Sequence, residues 1–195
     1  KPYDGTPLEK PDVTVGGEGF VAGEVNDIKA TGSVTYVGQG EVTNAIVYTE
    51  GANFKASNYT ITKNEGKLYI ETNSKTITIT AKSDGKIYDG TPLTNSGYTY
   101  TDGVLAEGDE LTATVEGSIT DFGTTANVVT GYKVMRGDVD VTNNYKFGES
   151  GNGTLTINKR PVTLTSETAS KPYDGTPLEK PDVTVGGEGF VAGEV

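Results

Sequence analysis

The sequence predicts an all-β protein, built from small β domains that are repeated in tandem and arranged end to end. Apolar residues alternate with threonine and other polar residues in many short segments, which is the period of a strand with one buried face. The stretch of residues 1–25 recurs without a single change at residues 171–195. Glycine, at 27 positions, supplies the turns that short strands require. Alternation, repetition and glycine content therefore all favour strands over helices.

Five segments show the alternation most clearly. Their apolar residues are Ile77 and Ile79, Tyr98 and Tyr100, Leu111 with Ala113 and Val115, Leu155 and Ile157, and Val162 and Leu164. Each of these segments predicts a half-buried strand. Helical periodicity extends over no more than about ten residues anywhere in the chain, so we expect strands to carry the fold.

The long repeat contains a shorter period. The hexamer Tyr-Asp-Gly-Thr-Pro-Leu begins at Tyr3, Tyr88 and Tyr173, at equal intervals of 85 residues. A second motif, Asn-Tyr followed by a Gly-x-Leu-x-Ile strand, closes each period and begins at Asn58 and Asn144. Two diverged sequences therefore alternate along the chain, and we call them module A and module B.

The module limits follow from these motifs. An alternating strand is expected to open each module ahead of the hexamer. Residues 1–73 are then a module A without its opening strand, residues 74–159 a complete module B, and residues 160–195 the opening part of a second module A. Neighbouring repeats in the chain are the first expected partners. We also expect residues 161–170 to pair, head to tail, with the partial module A of another molecule, because an incomplete sheet presents an open edge.

The hexamer is interpreted as a structural motif. Asp followed by Gly favours a tight turn, because the Asp carboxylate bonds to the backbone ahead of it and Gly tolerates positive φ. The proline holds the preceding threonine in an extended conformation. The tyrosine ring is expected to cover one end of a core. The residues with these roles are Tyr3, Asp4, Gly5, Tyr88, Asp89, Gly90, Tyr173, Asp174 and Gly175.

Charge and composition exclude several classes of function. The chain carries 16 basic and 27 acidic residues, and its net charge of −11 repels phosphate backbones and anionic lipids. No apolar run approaches the ~20 residues of a membrane-spanning helix. Histidine and cysteine are absent, which removes disulfides, the usual zinc sites and histidine-dependent catalysis. We therefore expect no nucleic-acid or membrane partner, no cofactor and no enzymatic activity.

A weak calcium candidate lies in module B. Asp138, Asp140 and Asn143 offer oxygen ligands at alternating positions, but the glycine and the distal glutamate of the usual calcium loop are not at their places. We expect no metal site, with these three residues as the only candidates.

Two further features of the sequence suggest chemistry. An acidic cluster could pass for the carboxylate pair of a glycosidase, but a module of this size rarely holds a substrate cleft, so we interpret the cluster as a solvated turn. Its residues are Glu107, Asp109 and Glu110. A spontaneous Lys–Asn cross-link between strands stays open, because the sequence does not show which lysine would meet which asparagine.

The motifs carry a resemblance to a known family. The stretch Lys-x-Tyr-Asp-Gly-Thr-Pro-Leu at residues 1–8, 86–93 and 171–178, with the Asn-Tyr motif near each module end, is similar to YDG or MBG-type tandem repeats of bacterial cell-surface adhesin-like proteins. The resemblance covers almost the whole chain. It implies β-grasp-like or immunoglobulin-like small domains, placed outside the cell between an adhesive tip and a wall anchor. It supplies no catalytic residues.

Cysteine-free composition suits surface proteins of Gram-positive bacteria, which are stable outside the cell without disulfides. A secretion signal and a wall-sorting signal are expected outside this chain. The expected function is that of a structural stalk or spacer, which extends a distal adhesive region from the cell.

The alternative function is binding, in which each module weakly recognises a host glycan or protein and the array gains avidity by repetition. The 11 tyrosines keep this alternative open, because tyrosine rings are good platforms for sugars and proteins. Exposed tyrosines that recur in both modules would favour binding, whereas buried tyrosines would favour the stalk.

Overall fold

The computed structural model describes residues 1–194. Strands hold 41% of the chain and short 3-10 turns hold 5%, and the described residues contain no α-helix. The fold is therefore mostly β, which confirms the predicted fold class at this level. Within residues 1–194 there is no helix with the length and apolar character that crossing a membrane requires.

Short strands and three 3-10 turns follow one another along the chain. The strands are β1 (Leu8–Glu9), β2 (Val25–Ala30), β3 (Ser33–Val34), β4 (Val42–Asn44), β5 (Ile46–Glu50), β6 (Gly66–Leu68), β7 (Thr76–Ile77), β8 (Ile79–Ala81), β9 (Asp84–Ile87), β10 (Tyr98–Tyr100), β11 (Glu110–Glu116), β12 (Gly123–Arg136), β13 (Val139–Asp140), β14 (Lys146–Phe147), β15 (Gly153–Asn158), β16 (Val162–Ser166) and β17 (Val183–Gly187). The 3-10 turns are Val37–Gln39, Ala56–Asn58 and Thr142–Asn144.

All five segments with predicted alternation lie in strands. The clearest case is β15, in which Leu155 and Ile157 are fully buried while Thr154 and Asn158 are exposed. The largest sheet has five strands, in the order β11-β12-β15-β9 with β13 paired to β12. The pair β12 and β15 is antiparallel, whereas the pair β15 and β9 is parallel.

The described chain forms two compact units. The first contains residues 1–79, 100–113 and 132–149, and the second contains residues 80–99, 114–131 and 150–194. Both units thus include parts of residues 74–159. The predicted module limits come from the sequence period, and they stay a prediction.

The first unit is held by two-stranded pairings around a buried core. The antiparallel pairs are β1 with β3, β2 with β5, and β4 with β6, and the parallel pair is β7 with β14. Fully buried apolar side chains fill the unit, among them Val34, Ile77, Val134 and Val141. The hexamer tyrosine Tyr3 is 1% exposed and belongs to this core.

The second unit has a smaller core. Leu93, Leu155 and Ile157 form its buried cluster, and the partly buried Tyr88 and Ile119 pack against them. Near the end of the described chain, β16 and β17 form an antiparallel pair in which Leu164 lies opposite Val185. Residues 161–170 were expected to pair as a strand with another molecule. Their part 162–166 pairs within its own chain. The head-to-tail contact concerns a second molecule and stays a prediction.

The two identical stretches of sequence have different structures. In residues 1–25, Tyr3 is buried and β1 forms, whereas residues 13–17 lie outside any strand. In the second copy, Tyr173 is 98% exposed, and residues 183–187 form strand β17. Because the amino acids are the same, the difference comes from the segments that each copy contacts.

Candidate functional site

The candidate site is built around Asp109, whose side chain is fully buried in the first unit. Oδ2 of Asp109 accepts hydrogen bonds from the hydroxyl of Tyr3 at 3.0 Å and from the hydroxyl of Tyr145 at 2.5 Å. Nε of Arg136 forms an ion pair with Oδ1 of the same carboxylate at 2.6 Å. One buried carboxylate therefore holds three side chains from distant parts of the sequence. We call these four residues the joint.

The backbone fixes the charged pair of the joint. Asp109 ends a tight turn in which its N–H donates to the carbonyl oxygen of Ala106 at 3.0 Å. Gly108 has a φ of 85° in this turn, a conformation that favours glycine. Asp109 directly precedes β11, and Arg136 is the last residue of β12. The turn that ends at Asp109 and the end of β12 at Arg136 thus bring the carboxylate and the guanidinium together.

The two tyrosines are placed by different local structures. The N–H of Tyr3 donates to the carbonyl oxygen of Glu71 at 2.8 Å, which ties the start of the chain to the end of module A. Tyr145 directly follows a 3-10 turn that ends at Asn144. The two rings meet edge to face, with centroids 5.5 Å apart, a favoured geometry for aromatic pairs.

Burial of the carboxylate is compensated by its partners. A buried ion pair is costly to desolvate, and it is tolerated when the remaining donors and acceptors are also used. Nη2 of Arg136 donates to the carbonyl oxygen of Glu107 at 2.8 Å. The hydroxyl oxygen of Tyr145 also accepts from the N–H of Ala106 at 2.8 Å. Oδ1 of Asp109 accepts no hydrogen bond, so its burial is compensated by the ion pair with Arg136 alone. Through this ion pair and the two hydrogen bonds to Oδ2, the joint cross-links four side chains.

The joint shifts the acidity of its phenols. Burial raises the pKa of Tyr145 above the usual value, and the hydrogen bond to Asp109 raises it further. The pKa of Tyr3 is also raised, chiefly by burial, although the contact with Arg136 opposes this shift. Both phenols therefore stay protonated and remain donors throughout the neutral pH range.

Module A contains the same contact between its Asn-Tyr tyrosine and a carboxylate. The hydroxyl of Tyr59 donates to Oε2 of Glu24 at 2.5 Å, and its oxygen accepts from the N–H of Val21 at 3.1 Å. In both modules the tyrosine directly follows a 3-10 turn. Tyr59 and Glu24 thus correspond to Tyr145 and Asp109.

The contact of the hexamer tyrosine also recurs. The hydroxyl of Tyr88 donates to Oε1 of Glu194 at 2.5 Å, and 106 residues separate the two. The same 106 residues separate Tyr3 from Asp109. The acceptor carboxylates, including Glu24 of module A, therefore occupy one position of the 85-residue period. Tyr3 and Tyr88 each reach the carboxylate that lies 106 residues further along the sequence.

A basic residue also recurs near each contact between a hexamer tyrosine and its carboxylate. Nζ of Lys75 donates to the carbonyl oxygen of Gly103 at 2.9 Å. At the corresponding place in the period, Arg160 donates to the carbonyl oxygens of Glu188 and Gly189, the latter at 2.6 Å from Nε. The cation that opens a module thus binds the backbone of the loop ahead of the carboxylate.

The hexamer loops have one geometry in all three copies. The lysine-to-aspartate distances are 2.7 Å from Lys1 Nζ to Asp4 Oδ1, 2.7 Å from Lys86 Nζ to Asp89 Oδ1 and 2.9 Å from Lys171 Nζ to Asp174 Oδ1. The threonine two residues after each Asp donates its N–H to that carboxylate at 2.9 Å. The φ angles of Gly5, Gly90 and Gly175 are 80°, 77° and 76°. The loop therefore forms with or without burial of its tyrosine.

The lysine of the loop also changes the acidity of the aspartate. Its hydrogen bond, with those from the threonine, lowers the pKa of Asp4 to about 2. The same contacts lower the pKa values of Asp89 and Asp174. These carboxylates are ionised at neutral pH, and they stabilise the turn by accepting hydrogen bonds from the threonine.

The calcium candidates show no assembled site. Oδ1 of Asp140 accepts from the N–H and the hydroxyl of Thr142 at 3.0 and 2.6 Å, and its Oδ2 lies 3.7 Å from Nζ of Lys133. Within residues 1–194, no group of three or more acidic residues is arranged to hold a metal ion. The structure therefore adds no support for calcium at Asp138, Asp140 and Asn143.

The interpretation of the acidic cluster as a solvated turn is wrong for Asp109. Glu107 and Glu110 are exposed, but Asp109 is 8% exposed because its carboxylate faces Arg136 and two phenols. A signal for this role exists in the sequence. An acidic residue stands at positions 24, 109 and 194, each 85 residues from the next, which marks the position as part of the repeat.

Comparison with protein-family models, with curated proteins and with solved structures found no match to this chain.

Proposed function

We propose that this chain is part of a structural stalk or spacer in a bacterial surface adhesin, with small β modules joined end to end. One observation carries the proposal: a hexamer tyrosine donates to the carboxylate of the following module, both from Tyr3 to Asp109 and from Tyr88 to Glu194. A contact that recurs with the period of the sequence links successive modules. Such a link is suited to a chain that transmits mechanical force and resists extension.

The pattern of tyrosines supports the mechanical role over binding. Tyrosine recurs in the hexamer and in the Asn-Tyr motif, and four of these residues, Tyr3, Tyr59, Tyr88 and Tyr145, donate to a carboxylate. The exposed Tyr69 and Tyr100 correspond to Thr156 and Val15 in the other module. In the proposed stalk, the hexamer tyrosine binds a carboxylate of the next module, and the Asn-Tyr tyrosine binds the corresponding carboxylate of its own module.

The placement outside a bacterial cell, attachment to a wall and a Gram-positive source are parts of the same proposal. They rest on the resemblance of the hexamer and Asn-Tyr motifs to surface-protein repeats. The absence of cysteine fits a protein that is stable outside the cell without disulfides. The connections between modules, near residues 73–75 and 159–161, are short, which favours restricted motion of one module relative to the next.

Weak binding of a host glycan or protein is a second candidate. The observation in its favour is a stacked aromatic pair, Tyr132 and Phe147, whose ring centroids lie 4.2 Å apart, with Tyr132 42% exposed. Ile61 of module A corresponds to Phe147. Only module B would thus offer this pair, so avidity would grow with every second module.

Small-angle X-ray scattering tests the proposal. A four-module chain cut in register and a two-module chain are compared, each beside a version with Asp109→Asn and the equivalent changes. For a stalk, we expect the maximum dimension to roughly double from two modules to four, and the joint variants to be more compact or more flexible. If the dimension grows much less in the unchanged chains, the modules do not form a stiff spacer, and glycan-binding screens become the next step.

A further inference from the structure

The hexamer loop meets a different surface in each of the two contacts that its tyrosine makes with a carboxylate. In both contacts a side chain lies directly over the hexamer glycine. A Cβ at Gly5 would overlap Nη2 of Arg136 and would lie 3.2 Å from Cβ of Ala106. A Cβ at Gly90 would instead lie 3.0 Å from Cγ1 of Val191. The glycine therefore allows close approach in both places, to a guanidinium in one and to an apolar side chain in the other.

The two side chains over the glycine take up the same space. Ala106 and Val191 occupy one position of the repeat, because 85 residues separate them. Since the hexamer loop has one geometry in all its copies, Cγ1 of Val191 lies where the other contact has the guanidinium of Arg136. Alanine at this position leaves room for the guanidinium, whereas valine fills the space itself.

One guanidinium binds at each contact, and the two arginines of the chain supply them. Nη2 of Arg136 donates to the carbonyl oxygen of Glu107 at 2.8 Å, and Nε donates to the hydroxyl oxygen of Tyr3 at 3.3 Å. Nε also pairs with Oδ1 of Asp109 at 2.6 Å. We call residues 103–109 and 188–194 the acceptor loops. Arg136 therefore connects the hexamer tyrosine to the backbone and to the carboxylate of its acceptor loop.

Arg160 makes the corresponding connection from another position of the repeat. Its Nε donates to the carbonyl oxygen of Gly189 at 2.6 Å, and its Nη1 donates to that of Tyr88 at 3.3 Å. Lys75 stands at this position in the other contact, where it donates to the carbonyl oxygen of Gly103. The two contacts thus bind a tyrosine and an acceptor loop with a guanidinium that comes from different places in the repeat.

The carboxylate differs together with the arginine. Asp109 is shared between the tyrosine hydroxyls and Arg136, whereas Glu194, which is longer by one methylene, accepts from the hydroxyl of Tyr88 at 2.5 Å. Residues 1–73 contain no arginine, although they carry the same valine and glutamate at Val21 and Glu24. Alanine and aspartate therefore occur with an arginine at position 136, and valine and glutamate occur without one at the corresponding place.

We propose that the hexamer loop is a common docking element, and that the acceptor loops bind it through two alternative, internally matched sets of side chains. The first set is Lys75, Ala106, Asp109 and Arg136, and the second set is Arg160, Val191 and Glu194. Each set supplies one guanidinium, one carboxylate for the tyrosine hydroxyl and a close contact over the glycine. The inference rests on the proposed function in taking these contacts as the links of the stalk.

The partner that both sets fit is the Tyr-Asp-Gly part of the hexamer. Its sequence is the same at residues 3–5, 88–90 and 173–175, and its lysine-to-aspartate contact forms in every copy. Recognition therefore depends on which set the acceptor carries and not on differences between hexamers. Members of different sets should not combine, because valine at position 106 and the guanidinium of Arg136 compete for the space over Gly5.

A double-mutant cycle in the full chain tests this competition. Ala106→Val, Arg136→Ala and the double variant are compared with the unmodified chain by urea unfolding. We expect Ala106→Val to raise the equilibrium constant of unfolding about tenfold when Arg136 is present, because residues in contact are energetically coupled. In the chain with Arg136→Ala, the same change to valine should alter that constant by no more than about twofold.

The matched control is Ala56→Val, at an exposed alanine of the same unit. Its effect on the equilibrium constant of unfolding should be the same with and without Arg136. Equal effects of Ala106→Val in the two backgrounds overturn the proposal, because the valine and the guanidinium then do not compete. Coupling of the same size in the control overturns it as well, since the coupling would not belong to the contact over Gly5.

Replacement of the whole first set is the second test. The variant Lys75→Arg/Ala106→Val/Asp109→Glu/Arg136→Ala carries the second set in its place. We expect its equilibrium constant of unfolding to stay within about fivefold of the original, because the second set again supplies a guanidinium, a carboxylate and a contact over the glycine. The partial variant that retains Arg136 should unfold at a lower urea concentration. A complete variant that does not fold, or that is no more stable than the partial one, overturns the proposal.

These outcomes are separate from those of the stalk function, which is tested by the growth of the maximum dimension with module number. Coupling in the cycle beside a dimension that fails to grow supports the docking proposal and contradicts the stalk. A stiff array without the coupling supports the stalk and overturns the matched sets.

Discussion

The hydroxyl of Tyr3 lies 3.0 Å from Oδ2 of Asp109, although 106 residues separate them in the sequence. The same separation and the same donor recur at Tyr88 and Glu194. A hydrogen bond with this span cannot be a property of one turn. The bond from Tyr3 to Asp109 recurs with the 85-residue period of the sequence, and in the structure it lies within the first compact unit.

The first prediction concerns the buried carboxylate. Asp109→Asn keeps the shape of the side chain but leaves the guanidinium of Arg136 without its counter-charge. Breaking a buried pair by removing one partner costs about 3–5 kcal/mol, and the 26% exposure of the Arg136 side chain places the expected loss near about 3 kcal/mol. Urea unfolding followed by circular dichroism measures the change.

The matched control is Glu110→Gln, one residue further on. Glu110 is exposed, so its neutralisation should change the free energy of unfolding by about 0.5 kcal/mol or less. If the two variants unfold at the same urea concentration, the carboxylate of Asp109 is not the centre of a stabilising network.

The second prediction uses the repeated sequence as its own control. Tyr3→Phe removes a hydrogen bond to a charged acceptor and should lower the free energy of unfolding by about 1.5–3 kcal/mol. Tyr173→Phe makes the same change within identical neighbouring residues, but Tyr173 is 98% exposed and should tolerate it. Thermal unfolding of both variants separates the role of the contact from that of the residue type. Equal melting temperatures would contradict this account.

The third prediction tests the glycine of the hexamer in the same way. Gly5 and Gly175 have φ angles of 80° and 76°, so alanine at either position carries strain of about 1–2 kcal/mol. At Gly5 the new Cβ would also overlap Nη2 of Arg136, whereas nothing lies within 4 Å at Gly175. Gly5→Ala should therefore destabilise the protein more than Gly175→Ala. An equal or smaller effect at Gly5 would show that Arg136 moves away freely.

The fourth prediction concerns alkaline pH. The pKa values of Tyr3 and Tyr145 are raised in the folded protein above about 10, the value in an unfolded chain. Their stabilisation is thus fully present below pH ~10 and is lost as pH rises through the folded pKa values. The free energy of unfolding should stay level from pH 8 to about 9.5 and then fall.

Urea midpoints at several pH values, with absorbance of phenolate at each pH, measure this loss. Tyr145→Phe removes one of the titrating groups, and its unfolding free energy should fall less steeply above pH ~10. Tyr173→Phe should leave the slope unchanged. An equally steep fall in Tyr145→Phe and in the unchanged protein would contradict the assignment.

Local alternation in the sequence predicted many strands correctly. Segments such as 153–158 show period two because one face of the strand is buried, as the exposure of Thr154 and the burial of Leu155 illustrate. The longest strand, β12, was not predicted. Glycine interrupts its middle at Gly131, and its fully buried residues include the polar Asn127, so the apolar alternation is broken.

Other features lay beyond any local pattern. Residues 13–17 and 183–187 have one sequence and two structures, because strand formation depends on a partner elsewhere in the chain. The same holds for Asp109, which looks like a surface residue among its neighbours and becomes buried through contacts with Tyr3, Arg136 and Tyr145. Comparison along the 85-residue period identifies the position, but only coordinates show its partners.

The recurring position of the acceptor carboxylate has a consequence for how such a chain can evolve. The Tyr3 contact ends at Asp109 and the Tyr88 contact ends at Glu194, which stands where the first copy of the repeat has Glu24. Duplication of one A-B pair would therefore duplicate both acceptor carboxylates together with both tyrosines. One step of 170 residues, from Lys1 to Lys171, therefore carries one acceptor of each kind.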